Sequence, residues 1–227
     1  MKKKYYLFQM NVKLLNVISV VLLVLCFVLL SLIYGDKCPD VIQGGMPLTF
    51  VFMIPYFCLH EVFHSIGYVL MGADFKNITY GAHIEKGVLC CLCKQNISKN
   101  NILVSLLFPF FWLGVVTLIV GYIFNLYPLV LLSLMNIAGC AGDFIMFFWL
   151  SQIKDFEFSE YDSPIAFGLN SKNDLSKKKM FGLDFVEETN KLERTIGKKI
   201  TISKPSIIYI LLFMVLGICY YFIDIFD

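Results

Sequence analysis

The chain has 227 residues and a formal net charge of +2; 58% of its residues are hydrophobic and only 16% are charged. This composition excludes an ordinary soluble globular protein and predicts a membrane protein. No basic stripe is interleaved with exposed aromatic residues, so a nucleic-acid partner is not expected.

Five apolar stretches are each close to the roughly 20 residues that a helix needs to cross a hydrocarbon core of about 30 Å. They are 14–34, 48–71, 101–124, 128–153 and 206–226. The first is too long for the apolar core of a secretory signal and lacks a small-residue cleavage site, so we expect it to be retained. Only residues 125–127 separate the third and fourth stretches, which should form an antiparallel hairpin with Pro128 starting the second helix.

Lysine and arginine residues indicate the orientation of these spans, because positively charged loops tend to remain in the cytoplasm. With five spans, every one of the 19 basic residues except Lys37 falls on one side. We therefore expect a multi-pass protein of the cell membrane, with its N-terminus in the cytoplasm and the lipid bilayer as its surroundings.

Two polar segments lie between the spans. Residues 72–99 alternate apolar and polar side chains, which predicts a short β-hairpin. Residues 154–204 are rich in both charges; their stretch 180–196 has helix-like apolar spacing and could lie on the membrane face, and a solvated linker is the alternative.

The predicted fold class is therefore an all-α polytopic membrane protein with about five transmembrane helices and a short β-hairpin after the second. The first and fifth helices are expected to be peripheral. Four units follow: an N-terminal segment with the first helix and an external loop (1–47), a membrane-embedded core (48–168), a cytoplasmic linker (169–205) and a C-terminal helix (206–227).

The second span contains the pattern His-Glu-x-x-His, formed by His60, Glu61 and His64. Residues four apart on a helix face the same way, so both imidazoles can reach one zinc ion. Glu61 then lies beside the first ligand, where its carboxylate can act as general base and later as general acid. Ionisable groups at membrane depth are costly and usually mark function, which favours a metal site over a chance match.

A catalytic zinc site normally has a third protein ligand, and Asp143 inside the fourth span is the candidate. Its small neighbours, residues 139–142, would let two helices approach closely. Asn136, two helical turns earlier on the same face, could orient the substrate or a ligand; an ordinary interhelical hydrogen bond is the alternative.

Three further thiols, Cys90, Cys91 and Cys93, have a spacing that could bind a second metal or support redox chemistry. No second cysteine pair or histidine pair accompanies them in the same loops, which favours reduced structural thiols.

The HExxH segment, followed by Gly72, a short hairpin, a span with Pro109 and the run from Asn136 to Asp143, resembles a family of bacterial membrane proteins. These are described as putative zincin peptidases, domain of unknown function 3267, and are similar to the site-2 proteases. The resemblance implies that a histidine pair on one span and an aspartate on another bind zinc inside the membrane.

The predicted function is that of a zinc metalloendopeptidase which hydrolyses peptide bonds within or next to the bilayer, with its active site open to the cytoplasm. His60, His64 and Asp143 are the expected Zn²⁺ ligands, Glu61 the catalytic residue, and a membrane protein or peptide the substrate. Two alternatives remain open: a non-catalytic metal-binding membrane protein acting as a partner or immunity factor, and an ion transporter.

Overall fold

The computed structural model describes residues 4–83, 88–160, 166–176, 180–186, 200–202, 209 and 212. Within these residues the chain is mostly helical, with α1 Val12–Tyr34, α2 Cys38–Leu70, α3 Lys99–Pro109, α4 Thr117–Ile123, α5 Tyr127–Gly139 and α6 Ala141–Ser151. The strands are β1 Lys4–Met10, β2 Ile78–His83, β3 Val88–Cys93, β4 Ile97–Ser98, β5 Glu157–Glu160, β6 Ala166–Ser171, β7 Leu183–Val186 and β8 Ile200–Ile202.

Helices α1 and α2 are antiparallel to each other, and both lie along the pair α5 and α6. At one end, the ring of Tyr34 in α1 packs edge-on against that of Tyr127 in α5, and Gly45 of α2 lies against the same residue. At the other end, Leu15 of α1 lies against Gly142 of α6. The reversal begins at Gly35, whose φ of 53° is left-handed and suits glycine.

Two helical stretches of the described residues, Val12–Leu70 and Lys99–Ile123, are long and apolar enough to cross a membrane. The bent pair α5 and α6 would make a third. The first stretch includes the reversal at Gly35, so it holds both α1 and α2. These features support a membrane protein, whereas five spans remain a prediction: of residues 206–226, only Tyr209 and Leu212 are described.

The fourth predicted span is bent rather than continuous. Helices α5 and α6 meet at Cys140 with an angle of 44°. The N–H of Cys140 lies 3.0 Å from the Asn136 carbonyl and 3.3 Å from that of Ile137, so the last turn of α5 is tightened toward a 3₁₀ geometry. The bend places Asp143 in the first turn of α6.

The predicted hairpin is confirmed as β2 and β3, which pair antiparallel from Ile78–Cys93 to His83–Val88. It is anchored to α2 because the Tyr80 hydroxyl donates to Ser65 Oγ at 2.8 Å. The expectation that the rest of the chain is all-α is wrong. Strand β8 adds to the hairpin as a third strand, and a separate five-stranded sheet has the order β4-β5-β6-β1-β7.

Strand β7 corrects the helical interpretation of residues 180–196 within their described part. Residues Leu183–Val186 pair antiparallel with β1, so backbone pairing with a distant strand overrides the local helix-like spacing. The remainder of that stretch, 187–196, lies outside the described residues.

The five-stranded sheet covers one end of the helices. Its inner face carries Phe8, Phe158 and Phe167, whose rings stack with centroids 6.0 and 5.4 Å apart, and these residues share a core with Ile102 of α3 and Leu150 of α6. The sheet therefore joins the segments that precede α1, precede α3 and follow α6 on one side of the helices.

Candidate metal centre

Three side chains converge where α2 meets α6. His60 Nε2 and His64 Nε2 lie 3.1 Å apart, and each lies 3.3 Å from an oxygen of the Asp143 carboxylate. Both histidines are buried. Tetrahedral zinc with bonds of about 2.0–2.1 Å separates its ligand atoms by about 3.3 Å, so this triangle fits three of four ligands.

Hydrogen bonds at Nδ1 orient both imidazoles. His64 Nδ1 lies 2.8 Å from the Ser105 carbonyl, which can only accept, so Nδ1 carries a proton and Nε2 is the nitrogen left for a metal ion. His60 Nδ1 lies 2.8 Å from Asn136 Oδ1. Because Asn136 Nδ2 donates to the Pro109 carbonyl at 3.3 Å, its oxygen is the group that faces His60. In their neutral forms both imidazoles would therefore offer an Nε2 lone pair to a cation held together with the Asp143 carboxylate.

Asn136 is fully buried. Its amide oxygen and nitrogen both have partners within the helices, so its contacts favour the ligand-orienting alternative over a substrate contact. A hydrogen bond to the ring nitrogen that does not bind the metal fixes the tautomer and the ring orientation of a metal-binding histidine.

Glu61 lies beside the triangle and lines the same cavity, which has a volume of about 160 Å³. The backbone N–H of Cys91 in β3 donates a hydrogen bond to its carboxylate. The hairpin therefore reaches the HExxH helix at two points, through this bond and through the bond from Tyr80 to Ser65.

The rest of the cavity wall is largely apolar and comes from many separate elements of the fold. It includes Met10 of β1, Leu15 of α1, Leu89 of β3 and Phe167 of β6. The first helix, which we expected to be peripheral, contributes Leu15 of its first turn to this wall, where it lies against Gly142. Met10 and Leu15 carry no chemical signal in the sequence, which explains why sequence reasoning missed them.

The three thiols of β3 are buried, and Cys90 and Cys91 line the cavity. Among the described residues, the one group of histidine, cysteine and acidic side chains able to hold a metal ion is His60, His64 and Asp143. A second metal site at the cysteines, the less favoured interpretation of their spacing, is therefore not found in the described part of the chain.

Comparison with known proteins identifies a family. Residues 51–156 match the model of a family described as "Putative zincin peptidase", domain of unknown function 3267. The match is a little under half of the chain and runs from α2 through α6, so it contains both the HExxH pattern and Asp143. No curated protein and no solved structure matches. The similarity to the site-2 proteases stays a prediction. The resemblance to the zincin peptidase family is confirmed, and residues 51–156 are the part of this chain that matches it.

Proposed function

We propose that this protein is a membrane-embedded zinc metallopeptidase that hydrolyses peptide bonds within or next to the bilayer. The observation that carries the proposal is the convergence of His60 Nε2, His64 Nε2 and the Asp143 carboxylate within 3.3 Å of one another, with Glu61 on the same cavity wall. These three residues would hold zinc and leave one position open, as catalytic sites do. Zinc, when bound, supplies Lewis acidity that makes hydrolysis possible near neutral pH.

Glu61 is the proton-transfer group of this proposal. Its carboxylate would accept a proton from the attacking water and then deliver it to the amine of the leaving group. The bond from the Cys91 amide holds the carboxylate against the hairpin side of the cavity, which restricts its orientation. The apolar residues of the wall would limit the access of bulk water.

The active site is proposed to open toward the cytoplasm. The five-stranded sheet lies at the end of the helices where the metal ligands lie, and Met10 of β1 and Phe167 of β6 line the cavity. The sheet is built from segments that the distribution of basic residues assigns to the cytoplasmic side. A membrane protein or peptide substrate would therefore enter from that side.

The contacts favour an enzyme over the two alternatives. A purely structural zinc site is normally closed by four protein ligands, whereas the described residues supply three candidate ligands here, with the further carboxylate of Glu61 beside them. An ion transporter would need a path of charged or hydrated groups toward the opposite membrane face. Among the described residues, the buried polar groups toward that face are uncharged hydroxyls bonded within the helices, those of Thr49, Tyr56 and Ser133. The remaining core there is apolar and includes Leu30, Val41 and Leu131.

The decisive experiment uses Glu61→Gln in the full-length protein, because glutamine keeps the shape of the side chain but cannot take up the proton. We expect this variant to bind about one zinc per chain and to lose roughly 10²–10⁴-fold in turnover. Membrane proteins that are cut in cells with the wild type should remain uncut with the variant. Wild-type cleavage by a zinc-loaded Glu61→Gln protein would refute the peptidase, and a wild-type protein without zinc affinity would refute the metal site.

A further inference from the structure

The partners that orient the two histidines meet at one short stretch of α3. His64 bonds to the carbonyl of Ser105, and Asn136, which orients His60, bonds to the carbonyl of Pro109. Ser105 and Pro109 are one turn apart at the end of α3. The backbone around this proline therefore contributes to the orientation of both imidazoles.

The first contribution comes from the N–H that proline lacks. In a regular α-helix the carbonyl of residue 105 accepts from the N–H of residue 109, and Pro109 has none to donate. The next N–H, that of Phe110, donates to the Leu107 carbonyl instead. An unsatisfied carbonyl is costly in apolar surroundings, and His64 Nδ1 satisfies it at 2.8 Å.

The second contribution comes from the carbonyl of Pro109 itself. A π-helical segment, Phe110–Val116, begins directly after the proline. In this wider helix the N–H of residue i+5 donates in place of that of residue i+4, so the Pro109 carbonyl points in a different direction from a carbonyl in a regular α-helix. It accepts from Asn136 Nδ2, which turns Asn136 Oδ1 toward His60 Nδ1.

We propose that Pro109 is a positioning residue that fixes the Nδ1–H tautomer of both His60 and His64 and thereby directs both Nε2 lone pairs to a common metal ion. This inference rests on the zinc site of the proposed function and not on peptide hydrolysis. It assigns a role to a residue that contacts neither metal nor substrate.

The test is Pro109→Ala in the purified full-length protein. Alanine supplies an N–H that competes with His64 for the Ser105 carbonyl and favours a regular α-helix, which withdraws the carbonyl of residue 109 from Asn136. We expect zinc affinity, measured by competition with a chromophoric chelator, to fall about 10–100-fold. Pro47→Ala is the matched control, because Pro47 is an exposed proline inside α2 and remote from the site; its zinc affinity should match the wild type.

Nitrogen NMR of the imidazole rings gives a second, independent measurement. In metal-free wild-type protein the rings of His60 and His64 should both carry a proton at Nδ1, bonded to Asn136 Oδ1 and to the Ser105 carbonyl, and the Nδ1–H of His64 should be partly lost in favour of Nε2–H in Pro109→Ala. Nε2–H tautomers in the wild type would overturn the proposal even if the variant does not fold. Wild-type zinc affinity in folded Pro109→Ala would also overturn it. A wild-type protein that binds no zinc contradicts the proposed function instead, and the ring tautomers still decide the role of Pro109.

Discussion

The close approach of α2 and α3 at Gly67 should control the geometry of the metal centre. A Cβ at Gly67 would lie 3.0 Å from Ser105 Cα and 3.3 Å from Phe108 Cβ, whereas ordinary contacts begin at 3.4 Å. In Gly67→Ala the helices must therefore separate by about 0.4 Å or more, at a cost of about 1–3 kcal/mol for overpacking. The same movement lengthens the 2.8 Å bond from His64 Nδ1 to the Ser105 carbonyl toward about 3.2 Å, the upper end of the normal range for such bonds.

We expect Gly67→Ala to show both a lower resistance to unfolding in a detergent titration and a roughly tenfold loss of zinc affinity, since the orienting bond of a ligand is weakened. Gly44→Ala is the matched control, because Gly44 lies on the same helix and its added Cβ would lie at an ordinary 3.5 Å from the Tyr127 ring. The control should resemble the wild type. Unchanged zinc affinity and stability in Gly67→Ala would show that the two helices are not tightly packed at the site.

Three further expectations follow from the same structure. Zinc content, about one per chain in the wild type by metal analysis, should fall in Asp143→Ala, because two imidazoles leave the ion under-coordinated; full occupancy would exclude Asp143 as the third ligand. Reporter fusions after Lys94 should report the cytoplasm and fusions near Lys37 the exterior, and the opposite result would invert the topology. Lys99→Met removes two bonds, at 2.7 and 2.6 Å, from Lys99 Nζ to carbonyls at the end of α6, so unfolding should be easier by about 1 kcal/mol; equal stability would make these bonds dispensable.

The candidate site was predictable because chemistry-bearing residues are rare inside apolar segments. His60, Glu61 and His64 are distinctive by spacing alone, and Asp143 is distinctive as a carboxylate inside a span. Their convergence in the structure follows from helix periodicity and from small residues at the contact, both of which can be read from a sequence.

The five-stranded sheet was not predictable by the same reasoning. Strand β1 is a short apolar run directly before the first span, and its partner β6 is far away in the chain, with Phe8 opposite Phe167. Nothing in the local pattern of either segment identifies the other. Such pairings depend on the tertiary structure, which also explains why the helix-like spacing near Leu183 was misleading.

Pro109 lies between these two cases, because its missing N–H can be read from the sequence, whereas its proposed influence on His64 depends on how the helices pack. A proline inside an apolar span removes one N–H and so leaves the carbonyl four residues earlier in need of a donor. The sequence therefore marks Ser105 as an available acceptor, although only the packing of α2 against α3 identifies His64 as the donor. Because a buried histidine facing such a carbonyl has its tautomer determined by the backbone, a proline in an apolar helix can control a metal ligand that it does not touch.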